Sequence, residues 1–351
     1  MTLPATVAVD VGGTKIRAGS VIDGRLAHVR GVPTPATAGA EAVLDTIAEV
    51  AAAVIAETQS ARAAAESGLM WRIGGGAAGV IDPASGIVVS ATDSLSGWAG
   101  TELTAELSAR TGLPVRAVND VHAHALGEAS AGASRYSSSS LLVAAGTGIG
   151  GGFITDGRLL TGRNAAAGHI GHVPVAAAAG LACPCGGTGH VEAIASGPAI
   201  LAAYRRLVRD EDTTTSAQLG ACTSAPADTR ALAAAASAGD DLAVRAFDIG
   251  ARALGSALGG IANVLSPEVI VVGGGLAEMD ETWWAPLRDA FAAELTPATA
   301  GLSLRKAELG QDAALIGAAG LWADGFAPRT GTYTQRTGTS TPRTGTKKES
   351  H

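Results

Sequence analysis

The chain has 351 residues, 47% of them hydrophobic and 16% charged, with a net charge of −7. That length can bury two medium cores, and the acidic balance gives no basic field for non-specific nucleic-acid binding. Three cysteines, two of them separated by one residue, argue against a disulfide framework and for a reducing compartment, since neighbours so close bridge only with strain. No apolar run reaches the ~18 residues of a membrane span, and Met1 leads straight into a strand-like segment, so a cytoplasmic protein without a membrane partner is expected.

Thr6 to Val11 is a short run rich in β-branched residues, followed by a glycine pair, a second run from Ile16 to Ile22, Asp23-Gly24, and a third from Leu26 to Val32. Asp-Gly between apolar runs is a hairpin signal, so three antiparallel strands are predicted. Ala40 to Gln59 has helical spacing, Arg72 to Gly76 and Val115 to Asn119 read as strands, and helices are predicted near Glu102 to Arg110 and from Val121 to about Ala131.

A second apolar run, Leu141 to Ala145, leads into Gly146-Thr147-Gly148-Ile149-Gly150-Gly151-Gly152, a strand to Thr155 and another Asp-Gly turn at 156–157. Strand, glycine loop, strand and Asp-Gly turn thus occur in both halves, which suggests a duplicated α/β unit. Ala-rich helices are predicted over about Ala199 to Val208 and Asp240 to Asn263, a buried strand over Val269 to Val272, and a late helix from Asp312 to Trp322 able to fold back on the first half. From about Pro328 the composition turns to Thr, Gly, Arg and Ser, with Arg-Thr-Gly-Thr starting at 329, 336 and 343; such a stretch offsets little of its ordering entropy and should be disordered.

Three glycine loops stand at strand ends. Asp10-Val11-Gly12-Gly13-Thr14-Lys15 closes the first strand, Gly146-Thr147-Gly148 the matching strand of the second half, and Gly273-Gly274-Gly275 a third. Glycines let backbone approach a phosphate, and amides and a Thr hydroxyl can bind its oxygens. The first loop is not a Walker loop, because the spaced Gly-Lys-Ser/Thr ending is missing. Asn119-Asp120 ends another strand, where a carboxylate can take the proton of an attacking hydroxyl; alone, the pair reads more readily as a helix N-cap, and only its combination with the loops favours catalysis. His172, Cys183, Cys185 and His190 lie within nineteen residues, a thiolate and imidazole set that can close a tetrahedral zinc site. His122 and His124 read as ordinary helix residues, and Trp283-Trp284 as packing.

In combination these residues resemble the ROK family of sugar kinases and repressors, within the actin-like, hexokinase-type (ribonuclease H-like) duplicated two-domain fold, over about residues 5–325. The resemblance implies an N-terminal α/β domain over 1–121 with a returning helix at about 310–327, a C-terminal α/β domain over 122–309 carrying the zinc segment, and a tail over 328–351. It implies ATP bound by Asp10, Gly12, Gly13, Thr14, Lys15, Gly146, Thr147, Gly148 and Gly274, with Mg²⁺ near Asp10 and Asp120 as base. It further implies sugar contacts from Gly79, Thr92, Asn119, His169, His172 and Glu192, a structural zinc, and the homodimer common among similar proteins.

Two positions depart from the family pattern. His190 stands where the metal motif has a third cysteine, and His169 where most family kinases have Glu, exchanging a fixed negative charge for an imidazole. Ala-Gly-His-Ile-Gly-His at 167–172, Val-Glu-Ala-Ile-Ala-Ser-Gly at 191–197 and Pro33-Thr34-Pro35-Ala36 are most similar to the bacterial N-acetylmannosamine kinases, with glucokinases and other hexose or N-acylhexosamine 6-kinases as the alternative. The family's repressors carry a helix-turn-helix domain ahead of the phosphate loop, for which the position of Asp10 leaves no room, so an enzyme is expected.

Overall fold

The structure, a computed structural model, describes residues 3–62, 68–92, 94–214 and 226–323; the predicted tail over 328–351 lies outside them. In chain order the first half comprises β1 (Leu3–Val11), β2 (Lys15–Ile22), β3 (Arg25–Pro33), α1 (Ala40–Ala61), β4 (Leu69–Ala77), β5 (Val80–Ile81), β6 (Val88–Ser90), α2 (Leu103–Thr111), β7 (Val115–Asn119) and α3 (Asp120–Ala131). The second comprises β8 (Ser139–Ala145), β9 (Ile149–Thr155), β10 (Arg158–Leu159), α4 (Glu192–Ala195), α5 (Gly197–Thr214), α6 (Thr229–Ser237), α7 (Asp241–Leu265), β11 (Val269–Gly273), α8 (Glu281–Glu294), β12 (Leu304–Lys306) and α9 (Asp312–Gly320).

These build two five-stranded sheets, ordered β3-β2-β1-β4-β7 and β10-β9-β8-β11-β12. In each, the first strand pairs antiparallel with its successor and parallel with a strand on its other side: β1 with β2 and β4, β8 with β9 and β11. The duplication read from the loops is therefore a duplication of topology. Both Asp-Gly turns take the predicted form, with positive φ at Asp23 (50°), Gly24 (73°), Asp156 (50°) and Gly157 (71°), as type I′ hairpins require.

Both sheets are covered on both faces, which is why their central strands are continuous apolar runs rather than alternating ones. In β1, Ala5, Val7, Val9 and Val11 face the core built with α1, while Ala8 faces α9 and α3. In β11, Ile270 and Val272 join the core of α5, α7 and α8, and Val269 and Val271 face the other way with Ala125 of α3. Each large side chain buried in those cores contributes about 1.5–3 kcal/mol of transfer free energy. Helix α3 thus lies between the sheets. Helix α9 packs on α3, β1 and β4, so closely that a Cβ at Gly74 would stand 2.0 Å from the Ala318 carbonyl oxygen.

The second glycine run is shorter as a loop than its sequence suggests. Only 146–148 turn; Gly150, Gly151 and Gly152 belong to β9. A Cβ at Gly150 or Gly152 would meet Val121 Cγ2 at 3.0 Å or Ala125 Cβ at 2.6 Å, and one at Gly151, on the opposite face, the Gly168 carbonyl at 3.0 Å. These glycines let α3 and the 168–170 segment press on the two faces of one strand. Helix α8 escapes sequence reading because Pro286 interrupts its pattern; Trp283 and Trp284 are buried on it, as packing.

Candidate active site

The parallel strands β1, β4 and β7 deliver their C-terminal ends side by side, with Asp10 opposite Gly76 and Ala77 opposite Asn119. Asp120 follows as the first residue of α3. A Cβ at Gly76 would lie 3.4 Å from Asp120 Cα and 2.8 Å from Ala123 Cβ, so the absent side chain is what lets α3 begin over the strand next to Asp10. Asn119 is the N-cap foreseen in the simpler reading of that pair: its Oδ1 accepts from Val121 N at 3.0 Å and His122 N at 3.2 Å. Its Nδ2 does a second task, donating to Asp120 Oδ1 at 2.8 Å and to Gly79 O at 2.9 Å. Capping and site construction therefore coincide in one side chain.

Asp10 is pushed up from 3.8 to about 7, first by burial and then by the neighbouring Asp120 charge, with Arg17 opposing. Two hard oxygen donors whose charges are uncompensated by each other fit a divalent cation such as Mg²⁺, which prefers carboxylate and phosphate oxygen. Thr34 clamps the adjacent loop, its hydroxyl donating to Gly12 O at 2.7 Å and its amide to Thr14 O at 3.1 Å. Ser94 stands against Gly13 and shares a hydrogen bond with Thr92 at 3.0 Å, which brings Thr92 to the same loop. The Lys15 side chain lies across Gly31 of β3.

The second loop is closed by Gly146 N to Gly148 O at 3.0 Å, and Gly197 N donates to Gly146 O at 2.8 Å. Gly274, at φ 89°, sits so close to β8 that a Cβ would lie 2.4 Å from Ala145 O, so the loops at 146–148 and 273–275 adjoin. Val121 abuts Gly150, two residues beyond the second loop. Asp120 accordingly starts a helix whose first turn touches the strand ends of both sheets.

The predicted metal ligands also converge. One ligand atom from each of His172, Cys183, Cys185 and His190 lies within 4.8 Å of the others. Cys183 Sγ is 3.7 Å from His172 Nδ1, and Cys185 Sγ 3.2 Å from His190 Nδ1. Ordinary Zn–S and Zn–N bonds in a tetrahedron give S···N edges of about 3.6 Å, so the donor set fits zinc. Burial holds the His172 imidazole below its ordinary range, favouring the neutral ligand form, and pushes the Cys183 thiol up. Glu192 joins this cluster to the second loop, accepting from Ile149 N at 2.8 Å with its other oxygen 4.0 Å from Cys183 Sγ. His169 stacks near His172, ring centroids 6.2 Å apart.

Sequence reading missed His122. Its side chain is 2% exposed and its Nε2 lies 2.7 Å from Ala167 O, a partner 45 positions away that helical spacing cannot reveal. A groove of ≈ 1010 Å³ lies between residues 166–177 and α7; His169 lines it, but Asp10, Asp120 and the loops at 12–14 and 146–148 do not.

The ROK family model matches residues 6–325. The chain belongs to the ROK family. Among relatives, a glucokinase of Halalkalibacterium halodurans is 34% identical over 89% of this chain and 92% of its own length. An N-acetylmannosamine kinase of Citrobacter koseri is 34% identical over 90% and 97%. A solved ROK family glucokinase from Streptomyces griseus, in complex with glucose and AMPPNP, superposes with TM-score 0.73 at 32% identity, covering 90% of this chain and 98% of that one. The two-domain α/β fold of ROK sugar kinases is thus the fold of this protein.

Proposed function

We propose that this ROK protein is an ATP-dependent sugar kinase that phosphorylates the 6-hydroxyl of N-acetylmannosamine. The observation that carries the kinase reading is the pairing of Asp10 with Asp120 across the end of β4, Asp10 on β1 and Asp120 just after β7, with Asp120 held by Asn119 at the start of the helix shared by both sheets. The lobes are taken as 1–121 with the returning helix at about 310–327, and 122–309.

Asp120 accepts the proton of the sugar hydroxyl as that oxygen bonds to the γ-phosphorus and the bond to the bridging oxygen of ADP breaks. Asn119 keeps the accepting carboxylate oriented. Bound near Asp10, Mg²⁺ supplies charge neutralisation on the transferring group. The amides of Gly13, Thr14, Thr147 and Gly148, with the Thr14 and Thr147 hydroxyls, line the phosphates, while the Gly12 and Gly146 amides close their loops on Lys15 O and Gly148 O; Gly274 admits the nucleotide against backbone. Lys15, whose stem crosses β3, contributes its charge from the edge of that loop. Zinc held by His172, Cys183, Cys185 and His190 is structural, since the protein fills all four positions.

The choice of sugar rests on His169. Its Nδ1 lies 2.7 Å from Ala166 O; a carbonyl only accepts, so in the neutral ring Nδ1 carries the proton and Nε2 is left as an acceptor. A single ring-nitrogen acceptor suits an acetamido N–H better than it suits the hydroxyl pair that a carboxylate can bind. Gly79, Thr92, His172 and Glu192 complete the assigned sugar contacts. A coupled ADP-release assay over N-acetylmannosamine, N-acetylglucosamine, mannose and glucose tests the reading. The highest kcat/KM is expected with N-acetylmannosamine; preference for glucose overturns the sugar, and no turnover with any hexose overturns the kinase.

A further inference from the structure

Helix α3 carries a second polar side chain directed at the site's surroundings rather than at solvent. His122, two residues beyond Asp120, is 2% exposed, and its Nε2 reaches Ala167 O at 2.7 Å. A carbonyl oxygen cannot donate, so the ring presents N–H at Nε2. Burial, the largest influence on it, keeps the imidazole below its ordinary range and so in the neutral form, with His169 lowering and the Ala167 carbonyl and Asp120 raising it.

Ala167 begins the segment that holds His169 and His172. The segment is pinned from below by backbone contact with β9: a Cβ at Gly168 would lie 2.3 Å from Gly151 O, and one at Gly171 2.1 Å from Ile149 O. At its far end it enters the cysteine and histidine cluster. On the Asp120 side the tie is His122, and it springs from the same helical turn as the carboxylate.

We propose that His122 is a positioning residue, whose Nε2–H bond to the Ala167 carbonyl sets the sugar-binding segment at a fixed distance from Asp120. This rests on the kinase reading above. A hydroxyl must be presented to its base in a narrow range of geometry, and small misplacements cost large factors in rate. Losing the tie loosens the sugar while leaving the nucleotide loops, which it does not touch, as they are.

The test compares His122→Leu, which keeps apolar bulk without the donor, with His122→Gln, whose amide N–H can reach the same carbonyl. For His122→Leu the expected result is a sugar KM raised about tenfold and a kcat lowered several-fold, with the ATP KM within twofold of the parent; His122→Gln recovers most of both. Unchanged sugar KM and kcat in the Leu variant, or a Gln variant as impaired as the Leu variant, overturns the proposal. Amide exchange over residues 161–172 reads the tie without chemistry: faster exchange confined to that stretch in His122→Leu supports it, and unchanged exchange overturns it. A parent protein inactive on every hexose would instead remove the kinase reading, while the exchange result still decides the tie.

Discussion

Glu192 accepts the Ile149 amide at 2.8 Å while its second carboxylate oxygen stands 4.0 Å from Cys183 Sγ. One side chain therefore touches both the cysteine and histidine cluster and the strand leaving the second glycine loop. Because His169 and His172 lie on the segment that the cluster holds, removing zinc should loosen the sugar side before the nucleotide side. Sugar titration of chelator-treated protein is expected to show affinity falling about tenfold or more ahead of any change in ATP affinity. Unchanged sugar affinity in metal-free protein would count against the structural role assigned to zinc.

Asp10 gives a pH dependence with a definite sign. Its folded-state value, about 7, lies above its ordinary 3.8, so between these the native protein holds a proton that the unfolded chain has released. The contribution of Asp10 to the stability of the metal-free protein should therefore fall as pH rises from about 4 to 7 and level off beyond. Asp10→Asn should remove that slope and be the more stable protein at pH 8, by roughly 1.4 kcal/mol for each unit of the shift as an upper bound, while losing Mg²⁺-dependent turnover. Urea unfolding of both metal-free proteins at pH 5 and pH 8 measures it; parallel pH slopes in the two would contradict it.

Glu128 is a stability site with no part in the chemistry. It is 1% exposed and its carboxylate accepts from Ala133 N at 2.7 Å, Leu309 N at 2.8 Å and Glu308 N at 3.2 Å. These bonds join the end of α3 to the strand-to-helix passage before α9. Glu128→Gln puts an amide donor where an acceptor is needed and should cost about 3 kcal/mol. Denaturant unfolding checks this, and a loss under 1 kcal/mol would show the carboxylate to be dispensable.

The duplicated architecture was legible because it is written in local chemistry: Asp23-Gly24 and Asp156-Gly157 specify their turns, and the loops at 12–14 and 146–148 follow apolar runs of the same kind. Asn119 and Asp120 were legible as a pair, since a cap at a strand end and a carboxylate beside it ask for the same position. The candidate metal ligands lie so near in sequence that their convergence needs little help from the fold. What sequence could not give is contact across it. Gly150 to Gly152 look like loop until α3 and the 168–170 segment are seen on either face of β9. His122 looks like a helix residue until Ala167 is placed against it. Thr34 and Ser94 clamp the first loop from separate turns that no periodicity links to it.

Asp120→Asn is the most direct measurement. The Asn side chain keeps an oxygen for Asn119 Nδ2 and Val121 N, which now bond Asp120 Oδ1 at 2.8 and 2.9 Å, so the local structure should survive while the base is lost. ADP formation at saturating ATP and sugar is expected to fall by about 10²–10⁴-fold, with the sugar dissociation constant within about threefold of the parent. Turnover within tenfold of the parent would contradict the assignment of Asp120 as the base.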